Sequence, residues 1–134
     1  MVTVIDASAL AAFCLREKGY DRVLRELRVL PTTVELCVKE ACNAIVVAAR
    51  RGLIDKTQAA LSFKALKEAS LYNLNFYPEL GLLDSAFNIA ITSGVTIYDA
   101  VYIALAQQTG DKLLTRDRKQ KEAADRLKIK AELF

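Results

Sequence analysis

Hydrophobic positions follow two rhythms along the chain, and the switches between them predict its elements. Residues 2–5, Val-Thr-Val-Ile, form a β-branched run of the kind a buried strand uses. The chain turns at Asp6-Ala-Ser8 into a helix predicted over 9–16, and Gly19 breaks the pattern. A second helical piece is predicted over 21–28. A residue before proline prefers extended geometry, which predicts a very short strand at Val29-Leu30-Pro31. Residues 34–51 predict a long helix, apolar over most of its circumference and therefore central and mostly covered. Its polar residues Glu35, Lys39, Glu40, Asn43 and Arg51 share one arc of the helical wheel. Gly52 closes it, and Asp55 is the expected N-cap of an amphipathic helix over 55–70. Alternation over 72–77 predicts a strand. Pro78-Glu79 open a helix to about Thr92, which Ser93-Gly94 stop. A bridge at 95–97 leads to a helix over 98–108, ended by Gly110. A strand over 112–115, a helix over 117–127 and a strand over 129–133 complete the reading.

Strands alternating with helices predict an α/β layered fold with a mostly parallel sheet. In such sheets the site lies beyond the carboxyl ends of the strands. Asp6 follows the first strand directly, and Asp117 lies just past Leu113-Leu114-Thr115. No linker, repeat or low-complexity tract divides the 134 residues, so one domain is expected.

Composition narrows the chemistry. Hydrophobic residues are 53% of the chain and charged residues 26%, which excludes disorder. The chain has no His, which excludes Ser-His-Asp and Cys-His catalysis and His-ligated zinc. Cys14, Cys37 and Cys42 are odd in number and lack C-x-x-C spacing, so buried thiols in a reducing cytoplasm are expected rather than disulfides or a zinc site. An acid at position 6 and no basic leader argue against a signal peptide, and no apolar run reaches the ~20 residues of a membrane span. A soluble, cytoplasmic protein is expected. The net charge of +3 is too small to coat a nucleic acid, but it permits a local basic patch beside an acidic pocket.

Four acids stand in apolar or strand-end contexts: Asp6, Glu40, Asp99 and Asp117. Each has a structural alternative. Asp6 and Asp117 suit helix N-caps, Asp99 suits the third position of a capping box opened by Thr96, and Glu40 suits a solvated helix edge. Taken jointly they say more. Gathered carboxylates repel one another unless a cation neutralises them. Oxygen donors without His or paired Cys select a hard ion, Mg²⁺ or Mn²⁺. Such ions make water more acidic and shield phosphate charge, so the cluster suits phosphodiester hydrolysis. Residues 112–130 hold eight basic residues against three acids, and Arg116 and Arg118 flank Asp117, where they could hold a phosphate backbone. From Lys121 onward a solvated mixed-charge helix face explains the charges better.

These motifs resemble the PIN domain, and most closely its VapC-like toxin ribonucleases. Val-Ile-Asp6-Ala-Ser8-Ala-Leu resembles the family's opening strand and first acid, and Lys39-Glu40-Ala-Cys-Asn43 its Glu-x-x-Asn segment. Thr96-Ile-Tyr98-Asp99-Ala-Val-Tyr102 resembles its third motif, and Leu113-Leu-Thr115-Arg-Asp117 its fourth. The resemblance implies a three-layer α/β/α sandwich and a Mg²⁺- or Mn²⁺-dependent endoribonuclease of a toxin–antitoxin pair. It implies Asp6 and Asp99 as chief metal ligands, with Glu40 and Asp117 binding directly, through water or at a second ion. Ser8 and Thr115 would orient these carboxylates, and Asn43 would contact the site or the strand-end backbone. It also implies an RNA substrate, a VapB-like antitoxin partner and a homodimer. Residues 9–15 and the helix around 60–71 are expected docking surfaces, with core packing as their alternative. Three other readings stand beside it: a housekeeping PIN nuclease, an inactive RNA- or partner-binding module, and a phosphatase- or receiver-like domain. Ser8 stands where the phosphatase would need a second acid.

Overall fold

The computed structural model describes residues 2–134. Strand β1 (Thr3–Ile5) is buried at every position, as a strand covered on both faces must be. Strand β4 (Lys112–Thr115) runs parallel beside it, with Val4 opposite Leu113 and Ile5 opposite Leu114. Strand β2 (Thr32–Thr33) lies on the other side of β1, and β3 (Asn75–Phe76) lies beyond β2. Strand β5 (Ala131–Leu133) adds to β4. The sheet is all parallel, in the order β3-β2-β1-β4-β5.

Helices α1 (Ala7–Cys14) and α2 (Tyr20–Leu27) join β1 to β2, and α3 (Glu35–Arg50) and α4 (Lys56–Tyr72) join β2 to β3. A 3₁₀ turn (Leu80–Leu82), α5 (Leu83–Ser93) and α6 (Ile97–Thr109) carry the chain back to β4, and α7 (Arg118–Arg126) leads to β5. Right-handed crossovers that move outward to β3 and then back across to β4 place α1–α4 on one face and α5–α7 on the other. The packing agrees: α1 touches α2, α3 and α4, while α6 touches α5, α7, β1 and β4. The result is a three-layer sandwich. Its winding direction reverses between β1 and β4, and a crevice opens at such a reversal beyond the strands' carboxyl ends.

Several expectations change. The predicted strand at Val29-Leu30-Pro31 moves to Thr32–Thr33. Leu30 adopts φ 58°, and Val29 is 63% exposed, so that apolar segment is a turn. Thr33 takes the buried place, its hydroxyl satisfied by Ile5 O at 2.8 Å. The strand read over 72–77 shrinks to Asn75–Phe76, because Tyr72 still belongs to α4. The covered central helix is α6, buried without a break from Ala100 to Ala106 between the sheet, α5 and α7. Helix α3 instead buries a stripe of Cys37, Ala41, Ile45 and Ala48 and leaves Val46 39% exposed. Ala9, Leu10, Ala11 and Ala12 are core, so that stretch of α1 is no docking surface.

The capping signals are realised. Asp55 and Gln58 form a reciprocal capping box at α4. Gly94 and Gly110, at φ 68° and 73°, end α5 and α6 in the left-handed conformation. Glu132 of β5 is gripped by Arg22 Nε at 2.9 Å and Lys112 Nζ at 2.7 Å, tying α2, β4 and β5 together. No single described helix is long and apolar enough to cross a membrane.

Candidate active site

Strands β1 and β4 end side by side, and each hands its next residues to the crevice. Asp6 caps α1 and is 5% exposed. Its Oδ1 accepts from Ala9 N at 3.0 Å and from Ser8 Oγ at 2.7 Å. Its Oδ2 accepts from Thr115 Oγ1, the last residue of β4, at 2.5 Å. The Thr115 hydroxyl in turn accepts from Asp117 N at 2.9 Å, and Ser8 Oγ accepts from Arg116 N at 2.9 Å. Two hydroxyls therefore sew the strand ends together and aim one carboxylate. Burial raises the pKa of Asp6, its three hydrogen bonds oppose the rise, and the charge on Asp117 adds to it.

Asp117 caps α7, accepting from Gln120 N at 3.1 Å. Asp99 is the third residue of α6, and its amide donates to Thr96 Oγ1 at 3.1 Å. Its carboxyl is half-buried, and its pKa is pushed from an ordinary 3.8 up to about 6. Burial is the chief cause, followed by the charges of Asp117, Asp6 and Glu40. The charges of the other three acids thus reach Asp99, that of Asp117 reaches Asp6, and no cation figures among the main influences on either. Glu40, half-buried on α3, accepts from Tyr102 Oη at 2.6 Å.

The remaining predicted residues lie further out. Asn43 is exposed one turn beyond Glu40 and makes no hydrogen bond to the four acids. Arg116 and Arg118 are exposed beside Asp117. The Arg116 guanidinium reaches Glu17 at 3.3 Å and stands 5.8 Å from the Phe134 ring centre, while Arg118 enters no ion pair among the described residues.

Three side chains had no role assigned to them from the sequence. Tyr102 holds Glu40, and its only linear hint is its place one turn after Asp99. Gln120 is fully buried and donates from Nε2 to the Asp99 carbonyl at 3.1 Å, bracing α6 against α7. The Asp117-x-x-Gln120 capping pattern was its available signal. Its Oε1 is the one buried side-chain oxygen or nitrogen without a partner among the described residues. Thr33 anchors β2 to the end of β1.

The donor set is hard and oxygen-rich, and it is short of positive charge, which fits a divalent cation. Among the described residues no three acidic or Cys side chains close tightly enough to grip an ion by themselves. A looser oxygen set suits an ion that keeps several of its waters, as Mg²⁺ does.

Comparison with known proteins agrees with this architecture. The family model for the PIN domain matches residues 3–126. Ribonuclease VapC3 of Pyrobaculum aerophilum is 37% identical over 125 residues, covering 91% of this chain and 94% of that protein. Exonuclease VapC9 of the same organism is 33% identical over 115 residues, covering 86% of this chain and 80% of that one. The crystal structure of PAE2754 from Pyrobaculum aerophilum superposes with a TM-score of 0.67 at 29% identity, covering 92% of this chain and 86% of that one. A parallel sheet with acids at its switch point and a family match over nearly the whole chain lead to one conclusion: the chain is a VapC-like member of the PIN domain family.

Proposed function

We propose that this protein is a divalent-metal-dependent endoribonuclease that hydrolyses RNA phosphodiester bonds as the toxin of a toxin–antitoxin pair. The observation that carries this reading is the under-neutralised convergence of Asp6, Glu40 and Asp117 on Asp99, whose carboxyl burial first, and their charges after it, raise to a pKa of about 6. A relative named ribonuclease, 37% identical across the chain, supports the RNA substrate.

Bound Mg²⁺ or Mn²⁺ supplies charge neutralisation, polarisation of a phosphoryl oxygen and a more acidic water. Asp6 and Asp99 are assigned as its chief ligands, with Glu40 and Asp117 completing the oxygen set. Ser8 and Thr115 hold both Asp6 oxygens by donating to them, which opposes the rise in pKa that burial causes. Asp117 is held at the start of α7 through one oxygen, which accepts from Gln120 N. Arg118, and less directly Arg116, offer positive charge to the RNA backbone beside the acids. No side chain acts as a covalent nucleophile.

A VapB-like antitoxin is the proposed partner. A groove of about 600 Å³ among α1, α2 and α4, lined by Phe13, Leu15, Leu24 and Leu61, offers it an apolar seat. A homodimer and a cytoplasmic location complete the proposal.

The test is cleavage of labelled linear and circular RNA with EDTA, Mg²⁺ or Mn²⁺, beside Asp99→Asn. Metal-dependent cutting of the circle, lost in the variant, is the expected result. Cutting of linear RNA alone would make the enzyme an exonuclease, in keeping with the name of its second relative. Full activity of a clean Asp99→Asn preparation, or activity in EDTA, overturns the assignment.

A further inference from the structure

Glu40 is the one acid of the four that no strand end or helix cap positions. It sits within α3, and its flexible side chain must cross from one layer of the sandwich toward α6 in the other. A single hydrogen bond spans that gap: Tyr102 Oη donates to Glu40 Oε1 at 2.6 Å, between residues 62 apart in the chain. The Tyr102 ring is 1% exposed and sits within the continuously buried stretch of α6. It therefore cannot swing aside. Asp99 lies three residues earlier on the same helix, hence on the same side. One helix thus carries an acid of the cluster and the donor that grips another acid from the opposite layer.

We propose that Tyr102 is a positioning residue: its hydroxyl occupies Glu40 Oε1 and so fixes Glu40 Oε2 as the oxygen offered to the cation, at a set separation from Asp99. This rests on the metal-nuclease reading only in taking Glu40 to serve that cation. Without the hydroxyl, Glu40 is a half-exposed carboxylate beside like charges. Nothing then fixes which of its oxygens faces Asp99, and the arrangement offered to an ion is lost. Partners that orient a metal ligand in this way typically alter affinity by about 10–100-fold when removed.

Tyr102→Phe deletes one oxygen and keeps the ring, both in the wild-type background and in Glu40→Gln. Binding of Mn²⁺ to RNA-free protein is followed by the electron paramagnetic signal of the free ion, and folding by circular dichroism. In the wild-type background Tyr102→Phe should weaken Mn²⁺ by about 10-fold and raise the Mg²⁺ concentration for half-maximal cleavage in parallel. The rate at saturating metal should stay near wild type. In Glu40→Gln the same substitution should add nothing. Unchanged Mn²⁺ affinity in folded Tyr102→Phe overturns the proposal. So does an equal loss in both backgrounds, or wild-type protein that binds no Mn²⁺. Should Tyr102→Phe fail to fold, [¹³C]tyrosine-labelled wild-type protein decides. Saturating Mg²⁺ should shift the Tyr102 Cζ resonance, and a resonance that ignores it overturns the role. Protein that shows the non-additive Mn²⁺ pattern yet cuts no RNA keeps the positioning role and removes the nuclease reading instead.

Discussion

Two carboxylate clusters in this molecule are pushed in opposite directions. At the β5 edge, Glu132 is held by Arg22 and Lys112, and its pKa falls from 4.5 to about 2. At the β1–β4 crevice, burial and then the charges of Asp117, Asp6 and Glu40 raise the pKa of Asp99 to about 6. Both clusters sit on the same sheet, and the chain has enough cations to pair either. It places them at the edge, where the last strand needs fastening, and leaves the crevice acids short of positive charge. Strain of this kind persists where another component neutralises it, which is the physical content of a functional site.

The largest way to break the contrast is to remove charge from the crevice. Asp6→Asn keeps an N-cap for α1, since Asn caps nearly as well as Asp. It should lower RNA cleavage by at least about 100-fold, beyond what a merely orienting residue contributes. The fold should survive, because the cap on Ala9 N remains and the Thr115 hydroxyl can accept from the new amide in place of donating to the lost oxygen. Cleavage assays with circular dichroism check this, and retained activity would remove Asp6 from the site.

That substitution also shows why the sequence was legible only in part. Asp6, Asp99 and Asp117 could each be read as a cap or as a site acid. Asp6 and Asp117 turn out to be helix caps that also stand in the acid cluster, and the amide of Asp99 donates to the capping Thr96. A carboxylate can cap its own helix and still stand among other acids, so the two readings do not exclude one another. The strands β1 and β4 were legible because buried parallel strands are short, apolar and β-branched. Strand β2 was not, because its buried residue is Thr33, whose polarity is cancelled by a hydrogen bond to Ile5 that no linear pattern reveals. The Tyr102–Glu40 and Gln120–Asp99 contacts join residues 62 and 21 apart, and periodicity carries no information about such pairs.

A smaller effect sharpens the contrast through pH. Asp99 binds its proton more tightly folded than unfolded, so in metal-free protein it lowers stability at neutral pH and ceases to do so as pH falls through about 6 toward 4. Glu132 behaves oppositely: its stabilisation is present above about 4.5 and is lost as pH falls through about 2. Without metal, Asp99→Asn should raise Tm near pH 7, by no more than about 1 kcal/mol equivalent because its exposed half is screened. The gain should vanish near pH 4. Glu132→Gln should lower Tm near pH 7 by about 4 °C, matching roughly 1 kcal/mol for an exposed ion-pair network. Saturating Mg²⁺ should reverse the sign for Asp99→Asn alone, because only wild type then gains binding energy. Scanning calorimetry reads all three, and equal signs for both variants in metal-free protein would erase the distinction between the clusters.

The smallest effect concerns the cations left beside the acids. Arg116 is engaged by Glu17 at 3.3 Å and lies near Phe134, a partnered charge like Arg22 at the edge. Arg118 has no ion-pair partner among the described residues and so resembles the crevice acids in being left free for something else. A free guanidinium meets a phosphate without first giving up a carboxylate. Arg118→Ala should therefore reduce the slope of log affinity against log salt for RNA by about one phosphate contact. Arg116→Ala should reduce it by less, and Glu17→Gln, which releases Arg116, should steepen it. Fluorescence anisotropy with labelled RNA in Ca²⁺, chosen to hold the acids neutralised while slowing cleavage, gives the three slopes. Identical slopes for the two arginine variants would mean that Glu17 does not restrain Arg116, and that the partnered and unpartnered cations of this surface are equivalent toward RNA.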